Sequence, residues 1–128
     1  MSDMNRVDFR GRLGATPEVR MMDSGKAVAS LRIATNVKGK DKDRTIWHRV
    51  SLFGAHAVYA SKHCSVGDTV AIEGYLDYRT WKNKENVEVT TAEVLVNESN
   101  FNGFSLIRKA TDKVTTENDE LSPPIDIP

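Results

Sequence analysis

At 128 residues the chain has the length of one domain, enough to bury one core but not two. It holds no run of about 18 apolar residues, the length a membrane-crossing helix needs. Its first residues, Met1-Ser2-Asp3-Met4-Asn5, lack the charged-then-apolar order of a secretion signal. The net charge of zero conceals an asymmetry: residues 1–110 hold 17 Lys and Arg against 13 Asp and Glu, a net of +4, while residues 111–128 hold one lysine against five acids, a net of −4. A basic body with an acidic tail suits a nucleic-acid binder, although a tail of this kind also serves solubility alone.

Taken in chain order, Arg6 to Leu13 alternates, with Val7, Phe9, Gly11 and Leu13 on one face and Asp8, Arg10 and Arg12 on the other. That is the pattern of a half-buried strand. Gly14-Ala15-Thr16-Pro17 breaks it. The turn Asp23-Ser24-Gly25 leads into a second strand, Ala27 to Thr35, whose apolar face is Ala29, Leu31 and Ile33. A solvated loop with Lys38, Lys40, Lys42 and Arg44 follows. The third strand, Ile46 to Phe53, divides by parity: Ile46, His48, Val50 and Leu52 on a mostly apolar face, Trp47, Arg49, Ser51 and Phe53 on the other.

Gly54 ends this strand, and Ala55 to Cys64 reads as a short helix closing near Gly67. Cys64 is the single cysteine; it excludes an internal disulfide and suits a reducing compartment, so the cytoplasm is expected. The fourth strand, Thr69 to about Trp81, carries Val70, Ile72, Gly74 and Leu76 inward and Tyr75, Asp77, Arg79 and Trp81 outward. The polar hairpin Lys82-Asn83-Lys84-Glu85-Asn86 leads to a fifth strand, Val87 to Val96. From Asn97 the periodicity fades, and from about Thr111 there is no apolar face, so 111–128 is expected to be a disordered acidic tail behind a domain of residues 1–110. Five strands with one helix between the third and fourth is the element order of an OB-fold, an all-β Greek-key barrel. A sandwich would need about two more strands.

With strands three and four taken as neighbours, Trp47, Arg49 and Phe53 stand beside Tyr75, Arg79 and Trp81. Aromatics interleaved with guanidinium groups are what a single nucleic-acid strand requires, since bases stack at about 1–3 kcal/mol each and cations follow the phosphates. The competing reading is plain packing, because one face of every barrel strand is core. The even face of strand three already supplies a core, which favours exposure of the odd face; Phe53, next to Gly54, is the least secure. No other chemistry is announced. His56, His63 and Cys64 lack the tight pairing of a zinc site, Cys64 and His63 point apart as helix neighbours, and no phosphate-cradling loop exists. No cofactor, metal or enzymatic activity is expected.

The residues resemble the bacterial-type single-stranded DNA-binding protein family (SSB) over roughly Asn5 to Asn97. The resemblance is carried by Asn5-Arg6-Val7, Gly11-Arg12-Leu13-Gly14, Pro17-Glu18-Val19-Arg20, Ala27-Val28-Ala29, Ile33-Ala34-Thr35, Trp47-His48-Arg49-Val50, Leu52-Phe53-Gly54, Ile72-Glu73-Gly74 and Arg79-Thr80-Trp81, in order and spacing. It implies an OB-fold homotetramer, with a dimer as the alternative, that coats single-stranded DNA in replication, recombination and repair. It further implies base stacking by the residues matching Trp47, Phe53 and Trp81, and a subunit contact near His48. Where the family often has another tryptophan, Val37 follows Ala34-Thr35-Asn36; Asp77 and Thr80 stand where basic residues are frequent. Asp8 and Arg10 occupy usually apolar positions of the strand that forms the family's dimer contact, so ion pairing across the axis is expected there. The family's tail docks partner enzymes through aspartates followed by Ile-Pro-Phe. Asp126-Ile127-Pro128 matches that approach without its phenylalanine, and weaker docking of replication and repair proteins is expected.

The resulting expectation is a passive, nucleoid-associated DNA binder. Arg10, Arg12, Arg20, Arg49, Arg79, Lys82 and Lys84 contact phosphates and release counterions, Lys38, Lys40 and Lys42 add loop charge, and Trp47, Phe53 and Trp81 stack bases. The rivals are a protein-contact OB module that binds DNA weakly, an enzyme subunit using Cys64, and an RNA-binding barrel, for which no residue signals 2′-hydroxyl contacts.

Overall fold

The computed structural model describes residues 2–110. They form β1 (Val7–Leu13), β2 (Glu18–Met21), β3 (Ala27–Val37), β4 (Arg44–Phe53), α1 (Ala55–His63), β5 (Thr69–Lys82), β6 (Glu88–Val96) and β7 (Phe104–Arg108). The strands pair in the order β1-β3-β4-β6-β5-β7, and β1 also pairs β5, so the sheet closes into a barrel. This is the OB architecture that the alternation implied, and all five predicted strands recur to within two residues of their predicted bounds. The expected tail, 111–128, lies outside the described residues.

Two strands were not anticipated. All of β2 is exposed; it lies along β3 from Glu18↔Ser30 to Met21↔Ala27 and buries no face of its own, so it carries no alternation to read. β7 begins beyond Asn97, where the pattern had faded. It pairs the first half of β5, Ile72↔Phe104 to Thr69↔Arg108, alongside the stretch that β1 holds from the other edge.

The inward residues of every barrel strand meet in one core. Leu13, Ile33, Leu52, Val70 and Val96 are fully buried, with Val50 at 1% exposure, and each such side chain contributes about 1.5–3 kcal/mol of burial. Helix α1 packs against this core with two small residues, Ala57 and Ala60. Its entry turn requires glycine. Gly54 has φ 66°, and any β-carbon there would collide with the Glu98 side chain, whose carboxylate accepts the Ala55 N–H at 3.2 Å and pairs with Lys26 at 3.6 Å.

The end of the described chain is tied back to the barrel by Asp68, which is fully buried. Its carboxylate accepts the Ser65 N–H at 2.9 Å, the Ala110 N–H at 2.8 Å and the Lys109 ammonium at 2.7 Å. Burial alone pushes this carboxyl up, but the two backbone donors and Lys109 together outweigh it and hold the group below its ordinary value. At the opposite end, Asn5 precedes β1 and imitates a strand residue: its amide donates to the Leu76 carbonyl at 2.8 Å and accepts from the Leu76 N–H at 2.9 Å. Strand β1 pairs β5 from Val7 to Arg12 but meets β3 at Arg12 and Leu13, which leaves its Val7 to Gly11 stretch as an edge on that side.

Candidate nucleic-acid interface

On β4, Val50 and Leu52 point into the core, so Trp47, Arg49, Ser51 and Phe53 face out, as their parity indicated. Register carries that face across the sheet. Strand β3 sets Ala34, Arg32, Ser30 and Val28 opposite these four residues, and β2 adds Arg20 opposite Val28. On the other side, β6 runs parallel to β4, and β5 brings Arg79 opposite Thr91 and Trp81 opposite Val89.

One expectation is corrected here. The strands bearing Trp47 and Trp81 are not neighbours, because β6 lies between β4 and β5. The β4–β6 pairing is parallel and joins strands separated by a helix, a strand and a hairpin, so no local pattern reveals it. The consequence is chemical: Glu93 of β6 enters the basic face.

Arg20, Arg32, Arg49 and Arg79 line a shallow groove of about 230 Å³ together with Ser30, Ser51 and Glu93. Among the described residues none of these arginines has an acid within ion-pair distance. With no acid of the described residues within ion-pair distance, and Glu93 the acid that lines the groove with them, the four guanidinium groups keep donors available for phosphate. Arg32 was absent from the predicted set. Its parity signal was nonetheless present, since Leu31 and Ile33 point inward and Arg32 must therefore point out. Glu93, on the parity opposite to buried Val94 and Val96, was readable as outward too, but its place beside the arginines was not.

Trp47 is half-buried. Its ring rests on Gly14, where even a methyl group would collide with it, and the Arg32 guanidinium stands 5.5 Å from its centroid, within cation–π range. Trp81 is 38% exposed near the end of β5, followed by the hairpin that carries exposed Lys82 and Lys84. Phe53 is half-buried opposite Val28 at the far end of β4. Lys38, Lys40 and Lys42 are exposed in the β3–β4 loop. Arg12 is in register with Ala34, and Ala34 with Trp47, so it joins the same row. Arg10 does not: its register partners run through Ala71 to Ser105 on β7.

The residues expected at a subunit contact lie elsewhere. His48 stacks on Phe9 with centroids 4.3 Å apart and shares a 2.9 Å hydrogen bond with the Thr35 hydroxyl. Burial lowers its pKa, so the ring is neutral at pH 7. Asp8 pairs with Arg6 at 3.0 Å, and Arg6 also reaches Glu73 at 3.6 Å. Within the chain, Arg6 and not Arg10 is thus the partner of Asp8. Asp126, Ile127 and Pro128 lie outside the described residues.

The family model of the single-strand binding proteins matches residues 4–102, from just before β1 to just before β7. The chain belongs to the single-strand binding protein family. A solved structure of this type, the Plasmodium falciparum SSB complex with ssDNA, is similar to the chain at a TM-score of 0.72 and 26% identity, over 84% of this chain and 96% of that one. The family match spans every element that builds the arginine groove. Strand β7 and the Asp68 anchor to Ala110 extend past or across its end.

Proposed function

We propose that the protein binds single-stranded DNA with little sequence preference, as a passive coat and without catalysing a reaction. One observation carries the reading: in a member of this family, four arginines without ion-pair partners among the described residues line a single groove on the face that also presents Trp47, Phe53 and Trp81. Phosphates follow the guanidinium groups while bases stack on the rings, a sequence-tolerant mode. If each groove arginine neutralises one phosphate, log K falls against log salt with a slope of roughly −3.

The β1 edge supports assembly into a tetramer, or a dimer. Val7 to Gly11 offers backbone groups toward a second copy, and an unpaired edge is the usual template for strand addition. Replication, recombination and repair in the cytoplasm are the corresponding cellular setting. The acidic charge of 111–128 and the Asp126-Ile127-Pro128 match to the family's tail support partner recruitment through this segment.

Titration of intrinsic tryptophan fluorescence with poly-dT, poly-U and duplex DNA at two salt concentrations tests the reading. Strong quenching by poly-dT that weakens with salt is expected. Tight duplex binding, or no quenching by poly-dT, overturns it.

A further inference from the structure

Strands β4 and β6 are joined through Val50↔Val94, Ser51↔Leu95 and Leu52↔Val96. Before these pairs the ladder ends, and a cleft of about 330 Å³ opens, lined by Trp47, His48 and Arg49 on one side, Thr91 and Glu93 on the other, and Leu76 of β5. Its volume is at the lower end of the range for small-molecule sites. Arg49 and Glu93 also line the arginine groove, so the cleft opens off it.

Glu93 is the discordant residue. It stands among four arginines yet pairs with none of them, and the bond it makes is a long one, from the Ser51 hydroxyl at 3.4 Å. A carboxylate repels phosphate, so the cleft is unsuited to the DNA backbone. What it fits is the edge of a base. Cytosine presents an exocyclic amino donor beside a ring-nitrogen acceptor, and a carboxylate next to a guanidinium is the complementary pattern. Uracil and thymine place a carbonyl where cytosine has its amino group, and so aim an acceptor at an acceptor. In a single strand these edges are free to be read, and Trp47 adds an aromatic wall for the ring.

We propose that the β4–β6 cleft is a base pocket taking one amino-bearing base of the bound strand, with cytosine the best match. Glu93 accepts from the exocyclic amino group and Arg49 donates to the acceptor beside it. This rests on the single-strand reading and adds one selective position to an otherwise indifferent contact.

Oligomers of deoxycytidine and deoxyuridine of equal length differ only along this base edge. They are titrated by tryptophan fluorescence into the parent, Glu93→Gln and Glu93→Ala at mildly alkaline pH, where cytosine stays unprotonated. The readout is the change in the dC-to-dU affinity ratio between parent and variant, which cancels the intrinsic stacking difference of the two bases. Glu93→Ala should reduce the ratio about fivefold, and Glu93→Gln by less, because its amide oxygen still accepts. An equal gain for both oligomers would mean that the carboxylate merely repels phosphates and would overturn the pocket; an unchanged ratio would do the same. Retained oligo-dT binding shows that each variant is folded. A parent that binds no deoxy-oligomer overturns the single-strand reading itself, a result distinct from a parent that binds all of them with no ratio dependent on Glu93.

Discussion

Asp68 and Glu93 are both carboxylates set into the barrel, and they are treated in opposite ways. Asp68 is fully buried and accepts two backbone N–H groups and the Lys109 ammonium within 2.9 Å. Glu93 lies half-buried among arginines and accepts one 3.4 Å bond. A buried charge is tolerated when its lone pairs are all engaged, and its removal then strands several donors. A charge left under-coordinated in an open groove is available to something that arrives later. Satisfied polar groups mark where this molecule holds itself together, and unsatisfied ones line the groove proposed to take DNA.

The largest effect that would sharpen this contrast is expected at Asp68. Asp68→Ala should cost about 3 kcal/mol of stability in denaturant unfolding, while the folded fraction keeps its affinity for poly-dT. An affinity loss matching that of the groove variants would break the comparison. The same site sets an acid limit. Its folded pKa lies below the ordinary 3.8, so its contribution is complete above pH 3.8 and is lost as pH falls through the lower folded value. Acid unfolding followed by tryptophan fluorescence should lose this part of the transition in Asp68→Asn.

On the groove side, Trp47→Ala should weaken poly-dT binding by about 1–3 kcal/mol with the barrel intact. Gly14→Val should give part of the same loss without altering the tryptophan, because it displaces the ring that rests on Gly14. Arg32→Ala should lower affinity less and reduce the salt slope by about 0.7, as measured by titration across a salt series. A slope that stays constant would place Arg32 on the ring alone.

The smallest effects belong to the surface. Asp8→Asn removes an exposed ion pair to Arg6 and should change unfolding free energy by no more than about 0.5 kcal/mol. Light scattering of Asp8→Arg should show weaker assembly if this strand edge meets a second copy.

Much of the fold was legible because its residues obey the two-residue period over long stretches. Val50 and Leu52 against Trp47, Arg49 and Phe53 is a one-dimensional pattern that the barrel only had to respect. β2 escaped notice because a strand with both faces in solvent carries no such period, and β7 because five residues beside a turn give too little of it. At the site, Arg49 and Arg79 were readable by parity as outward cations, whereas Arg20, on a strand without alternation, was not. Arg32 is equally readable by parity, between Leu31 and Ile33, while Arg10, expected to contact phosphate, has its register partners on β5 and β7 and does not line the groove.

By itself the sequence determined which side chains leave the core and in what order the elements come, since both depend on neighbours two to four residues apart. It could not determine which strands lie side by side. That depends on barrel closure, where β6 inserts between β4 and β5 through a parallel pairing of residues more than forty positions apart, such as Val50 and Val94. Closure gathered four arginines from four strands into one groove, set Gly14 under Trp47, and placed Glu93 at the mouth of a cleft. The contrast between a satisfied Asp68 and an expectant Glu93 is therefore a property of the tertiary structure, because a carboxylate's partners are set by what the fold brings near it and not by its neighbours in the chain.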